Sequence, residues 1–346
     1  MNGSRLHGWG DAALVACALL AFAMPWLVET FTLVGINVFV ILSVLALSMS
    51  LVWGIGGVLS FGQSVFFGLG AYAYAVAAGN FGGSTIALGA AIVVPSASAA
   101  LLGYFLFYGR ISDVYLAVIT LTVSLILYHL INTLAGADFR IGDVTLGGYN
   151  GMPGVAPIHV PWDATRALSY EAMYLLSVVV LVLVYVGLRR LVRTDFGRIV
   201  AAVRENELRA ELLGYDARRY KLALFVIGAA IAGIAGALYA AWGSFVGPDV
   251  FGMSFAAQII IWAQIGGVDT LAGPVVGCIL IQALTTWLGT SHVTDANLVL
   301  GALLMFFVLV MPSGLLPRLA ALIAATPIES RAGSRDESRA DARSLR

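Results

Sequence analysis

Charge is what this sequence has least of. Only 11% of its 346 residues are Asp, Glu, Lys or Arg, and a single lysine, Lys221, occurs in the whole chain. A soluble domain carries about 25% charged residues, because its surface must face water. A chain with 60% hydrophobic residues and a mean hydropathy of +0.94 has no such surface, so its solvent is lipid. The formal net charge is zero, which leaves no electrostatic basis for a nucleic-acid partner.

Other absences narrow the function. The only cysteines, Cys17 and Cys278, each sit inside an apolar run and read as small core residues rather than a disulfide or metal pair. The four histidines are scattered without ligand spacing, so neither a metal nor a cofactor is expected. There is no G-x-x-x-x-G-K-[ST] phosphate loop, so this chain cannot hydrolyse ATP by itself. H-E-x-x-H, G-x-S-x-G and paired membrane aspartates are missing too, which argues against an intramembrane enzyme. No charged residue falls in the middle of an apolar run, which argues against a proton- or ion-coupled carrier.

What is present in abundance is apolar sequence in span-sized lengths. A helix needs about 20 apolar residues to cross a bilayer. Charge-free stretches cover 12–28, 30–109, 114–137, 172–188, 222–248, 250–268, 270–294 and 296–317. The 30–109 stretch is long enough for three crossings, with breaks expected at Gly54-Ile55-Gly56-Gly57 and Gly79-Asn80-Phe81-Gly82-Gly83. The sequence therefore predicts an all-α polytopic membrane protein with about ten transmembrane segments. Residues 1–325 form the membrane domain, and the polar stretch 326–346 reads as a disordered cytoplasmic tail. Ala21-Phe22-Ala23 looks like a signal-peptide cleavage site, but the apolar run continues past it and is expected to stay as the first helix.

Basic residues orient the chain. The loop 189–221 holds nine of the nineteen: Arg189, Arg190, Arg193, Arg198, Arg204, Arg209, Arg218, Arg219 and Lys221. The tail adds Arg318, Arg331, Arg335, Arg339, Arg343 and Arg346, whereas the loop 138–171 has only Arg140 and Arg166 against Asp138, Asp143, Asp163 and Glu171. The first two are expected in the cytoplasm and the third outside. Ten crossings then put both termini and Arg110 in the cytoplasm.

Within 189–221, residues 194–214 read as one amphipathic helix. Thr194 or Asp195 can cap its start, and Gly214 suits the left-handed position after its end. Ile199, Val203 and Ala210, flanked by Val200 and Leu213, form its apolar side. Arg204, Glu205, Glu207, Arg209 and Glu211 form its polar side. A solvated connector, a helix lying on the headgroups and a docking helix for a cytoplasmic partner all fit that pattern.

Polar residues inside apolar runs are candidates for a translocation pathway, because hydrocarbon tolerates them only when paired. The candidates are Asn37, Ser60, Gln63, Ser64, Gln258 and Gln264. His129 is expected to be a packed residue bonded to Asn132 or to a carbonyl. Gly228, Ala232, Gly236 and Ala240 follow the small-x-x-x-small spacing of close helix packing. Ile55-Gly56-Gly57-Val58 and Ile265-Gly266-Gly267-Val268 echo each other, as two parallel five-helix repeats would.

Four separated stretches carry a family resemblance. They are Gly197-Arg198 through Ala202-Val203-Arg204-Glu205-Asn206-Glu207 to Tyr239, Leu59-Ser60-Phe61-Gly62-Gln63-Ser64 to Tyr72, Gly147-Gly148-Tyr149-Asn150-Gly151-Met152, and Gly266 to Gly277 with Pro312-Ser313-Gly314-Leu315-Leu316. In this order they resemble the permease family of branched-chain amino acid ABC importers, the LivM type. The resemblance spans about 30–317, although Leu146, Leu212 and Leu213 depart from the family's pattern. It implies that 189–221 is a coupling loop seated in an ATPase subunit, with Arg198, Arg204, Glu205, Glu207, Glu211 and Gly214 carrying the contact. It also implies a heterodimer with a homologous permease, two cytoplasmic ATP-binding subunits and a periplasmic substrate-binding protein. The cargo would be branched-chain or related amino acids, with urea, short amides or aromatic acids as alternatives. An autonomous secondary carrier is the competing class.

Overall fold

The computed structural model describes residues 19–109, 111–136, 138–160, 163–290, 301, 305 and 314–318. The tail 326–346, Cys17, Arg110 and most of the last predicted span, 296–317, lie outside the described residues.

The chain is a helical membrane protein. Its elements are α1 (described part 19–27), α2 (Thr30–Met49) continued by a π-helical segment (Ser50–Ile55), α3 (Gln63–Phe81), α4 (Ser84–Tyr108), α5 (Asp113–Thr133) and α6 (Tyr170–Arg193). There follow α7 (Asp195–Glu205), α8 (Glu207–Leu212), α9 (Ala217–Gly243), a 3-10 turn (Pro248–Phe251), α10 (Met253–Gly266) and α11 (Gly273–Thr290). Among the described residues five helices are long and apolar enough to cross a membrane: Thr30–Ile55, Ser84–Tyr108, Val114–Thr133, Tyr170–Arg193 and Ala217–Gly243. The predicted breaks in 30–109 fall where the helices end, with Gly57 at φ 71° and Gly82 at φ 65°.

The core is α9 packed against α3 and α4, with α2 alongside. Small residues make that approach possible. A Cβ on Gly236 would run into the Phe67 carbonyl of α3, and one on Gly233 into the Ala91 carbonyl of α4. The Gly228, Ala232, Gly236, Ala240 stripe is buried, as its spacing predicts.

Two expectations need correcting. The 250–268 stretch is not one spanning helix. Pro248 cannot continue a helix and Gly252 is extended, so α10 starts only at Met253. Its 14 residues reach about 21 Å, short of the ~30 Å hydrocarbon layer. The segment before it turns back inward, where Phe251 is buried against Gly68 and Tyr72 of α3. Residues 194–214, moreover, form two helices rather than one. Asn206 is extended (φ −160°, ψ 102°), and its side chain accepts from the Arg209 amide, capping α8.

Contacts divide the molecule into two ends. One gathers the turn after Ile55, α7, α8 and the 267–272 turn. The other gathers the α3–α4 turn, the α9–α10 connection and residues 134–169, folded as three small antiparallel pairs: Arg140–Ile141 with Val144–Thr145, Met152–Pro153 with Phe245–Val246, and His159–Val160 with Asp163–Ala167. Asn80 fastens the first pair to α3 by bonds to the Ile141 carbonyl and the Asp143 amide, at 2.9 and 2.8 Å.

Candidate functional site

The predicted pathway residues do not form one cluster. Ser60, Gln63 and Ser64 do come together, buried where the chain enters α3. The Ser48 hydroxyl of α2 donates to Gln63 Oε1 at 2.6 Å, leaving Gln63 Nε2 buried without a partner among the described residues. Ser64 Oγ lies 2.9 Å from Ser124 Oγ, and Ser124 donates to the Phe251 carbonyl at 2.6 Å. Ser60 Oγ accepts from the Gly62 amide, and Thr120 Oγ1 from the Phe61 amide, so this non-helical stretch keeps its backbone satisfied inside the protein. The polar cluster thus links α2, α3, α5 and the inward-turned connection before α10. Ser48, Thr120 and Ser124 were missing from the sequence-derived set. For the last two the signal was the i, i+4 hydroxyl pair Thr120 and Ser124, one face of α5.

Asn37 sits elsewhere. It is 2% exposed, its Oδ1 has no partner among the described residues, and it lines a 480 Å³ cavity at the end holding residues 134–169. Val34, Ile158, Leu168, Met173 and Trp242 give that cavity an apolar wall, and Ser169 and Glu171 a polar rim. Leaving an amide oxygen buried and unpaired costs about 1–3 kcal/mol, so Asn37 is suited to a visiting donor. Gln258 and Gln264 are half-buried on α10, in neither group. His129 is exposed beside Tyr128, and Asn132 donates to the Tyr128 carbonyl instead of to His129, which corrects the packing expected there.

At the opposite end, α7 buries Val200 in the main core, while Val203 clusters with Ala210, Ala217 and Ile199. Leu213, expected on that apolar side, is instead exposed with Leu208, Leu212 and Tyr215. Splitting the helix at Asn206 turned this face of α8 outward. Thr194 occupies the capping position, but its hydroxyl donates back to the Leu191 carbonyl. Gly214 has the predicted left-handed backbone, φ 91°, and the amides of Gly214 and Tyr215 reach the Glu211 and Ala210 carbonyls.

Each charged residue of this loop has its own setting. Arg198 pairs with Asp195 at 3.1 Å, and Glu207 with Lys221 at 2.5 Å. Glu205 is exposed. Glu207, Leu208, Glu211, Arg218 and Lys221 line a second cavity of 420 Å³, closed on its other side by Phe107, Ile111 and Leu116. Arg204 reaches back to the Gly54 carbonyl and to Asp269, 2.6 Å away. Asp269 was not singled out by the sequence, though it directly follows the second glycine echo.

Sequences distant in the chain also converge here. A Cβ on Gly54 would strike the Val268 carbonyl, and one on Gly314 would strike the Gly267 backbone. The profile of the family described as "Branched-chain amino acid transport system / permease component" matches residues 31–309. The chain belongs to this permease family. It is 30% identical to the high-affinity branched-chain amino acid transport system permease protein LivM of Escherichia coli K12, over 88% of the permease and 74% of that protein. Identity to LivM of Salmonella typhimurium is 28% over the same shares, and to LivH of Escherichia coli K12 it is 32% over 35% of the permease and 40% of LivH. No solved structure matches the permease.

Proposed function

We propose that this permease is one transmembrane half of an ABC importer that moves branched-chain or related amino acids inward by ATP-driven alternating access. The observation that carries the proposal is the exposed, charged α7–α8 module, joined by Arg204 to the end of the π-helical segment after α2 and to the turn after α10. An alternating-access device switches only when a partner favours one of its states by a differential free energy, and that energy must enter through a physical contact.

In this reading the α7–α8 end is cytoplasmic and docks an ATP-binding subunit through Leu208, Leu212, Leu213 and Tyr215, ringed by Arg198, Glu205 and Glu211. The other end is periplasmic, and the 480 Å³ cavity with Asn37 receives substrate from a binding protein. Gln63, Ser60 and Ser64 then line the passage. A homologous second permease and two ATP-binding subunits complete the assembly in the inner membrane.

Uptake of radiolabelled leucine into vesicles holding the permease and its partners tests this. It should require ATP on the α7–α8 side and fall to background when Glu207 and Glu211 are both reversed to Arg, with hydrolysis continuing. If the purified permease alone carries leucine down a gradient at full rate, the importer reading is wrong and a secondary carrier takes its place.

A further inference from the structure

Resting on that importer reading, we propose that Arg204 is a positioning residue that fastens α7 to two glycine turns at once, one after the π-helical segment and one after α10, so that displacement of α7 reaches both together. The guanidinium is a planar fork, able to make two directed bonds that an ammonium cannot reproduce in one geometry. One nitrogen donates to the Gly54 carbonyl and another to Asp269 Oδ1 at 2.6 Å. Its stem lies over Gly57, where a Cβ would come within 2.8 Å of Arg204 Cγ.

Both turns carry a glycine of positive φ, and the π-helical segment leading into the first touches the second. Gly57 and Gly267 both have positive φ, 71° and 108°, a conformation open to glycine and strained for other residues. Gly54 packs on the Val268 carbonyl, and Ser50 Oγ donates to the Thr270 carbonyl at 3.4 Å. Each turn ends a membrane helix, so each is a place where the chain can change direction without breaking a continuous ladder.

Stability does not explain the arrangement. The Arg204 and Asp269 side chains are 41% and 68% exposed, and ion pairs so open to solvent contribute little to stability. What the fork supplies is position: one side chain spans the module that meets the partner and both turns that would have to move.

The test uses the full chain in two arms. In the first, amide hydrogen exchange of the purified permease follows residues 54–62 and 266–273. Arg204→Ala should speed exchange in both turns by about ten-fold, within the range of typical site-to-site coupling, and Arg204→Lys should speed it less. Faster exchange in one turn only, or in neither, overturns the fastening. In the second arm, native membrane vesicles carrying each variant are assayed for leucine uptake and ATP hydrolysis. Arg204→Ala and Asp269→Asn should each lower uptake per ATP by about ten-fold, with membrane content unchanged. A normal ratio despite freed turns overturns the transmission role. Uptake by wild-type vesicles without ATP would sink the importer reading alone, and the exchange arm would still judge the fastening.

Discussion

Along α9, glycines lie against the backbones of α3 and α4. At the junction beneath α7, glycines also lie against backbone, yet the two regions are held in opposite ways. In the first, the helices run unbroken, and Gly70, Gly233 and Gly236 meet main-chain atoms with no side-chain bond joining the helices at these points. In the second, α2 ends in a π segment, α10 ends at Gly266, and side chains tie the loose ends: Arg204 to Asp269, and Ser50 to the Thr270 carbonyl. The first is a packed surface with one solution. The second is a set of chain ends held by polar bonds that can be exchanged for others, which is how proteins place movement without disturbing a core.

The sharpest way to break the comparison is to add atoms to the packed region. Gly236→Val places a methyne on the Phe67 carbonyl. Overpacking of this kind costs about 1–3 kcal/mol or more, so the variant should melt well below wild type in detergent, or fail to accumulate. An unchanged melting temperature would mean that α3 and α9 yield as easily as the junction does.

Gln63→Leu comes next and probes the polar cluster between the regions. Losing the Ser48–Gln63 bond should cost only about 1 kcal/mol of stability, whereas leucine uptake should fall by roughly ten-fold, the effect of about 1.4 kcal/mol on a rate. Wild-type uptake would assign Gln63 to packing and move the passage elsewhere.

Gly214→Val is smaller and local. No atom lies within 4 Å of a Cβ there, so the only penalty is the backbone angle of 91°, roughly 1–2 kcal/mol for an L side chain. Exchange should quicken in α8 alone, and spread into α9 would show that the module is less independent than its packing implies. The smallest effect has the opposite sign. Gly187 is exposed within α6 with nothing near it, so Gly187→Ala should stabilise by about 0.5–1 kcal/mol. A loss of stability there would indicate a partner helix against that face.

The five long apolar helices, the breaks within 30–109 and the backbone of Gly214 were legible in the sequence because each depends on a few neighbouring residues. Hydropathy sets where a helix can live, and glycine sets where it can turn. The division at Asn206 was also local, written as an Asn three residues before an amide it could cap, but the amphipathic pattern running through 194–214 concealed it. The shortness of α10 follows from Pro248 and Gly252, and a count of uncharged residues does not register either of them.

The tertiary structure alone decided which of these pieces meet. Periodicity says that a residue is polar and within a span, not which neighbour it faces. Asn37 and Gln63 therefore looked equivalent, although one borders a cavity at one end and the other bonds Ser48 deep in the bundle. Gly54 and Val268, or Arg204 and Asp269, are more than 60 residues apart in the chain. Their contact depends on how α2, α7 and α10 pack as whole bodies, a result of shape summed over many side chains that no short stretch of sequence contains.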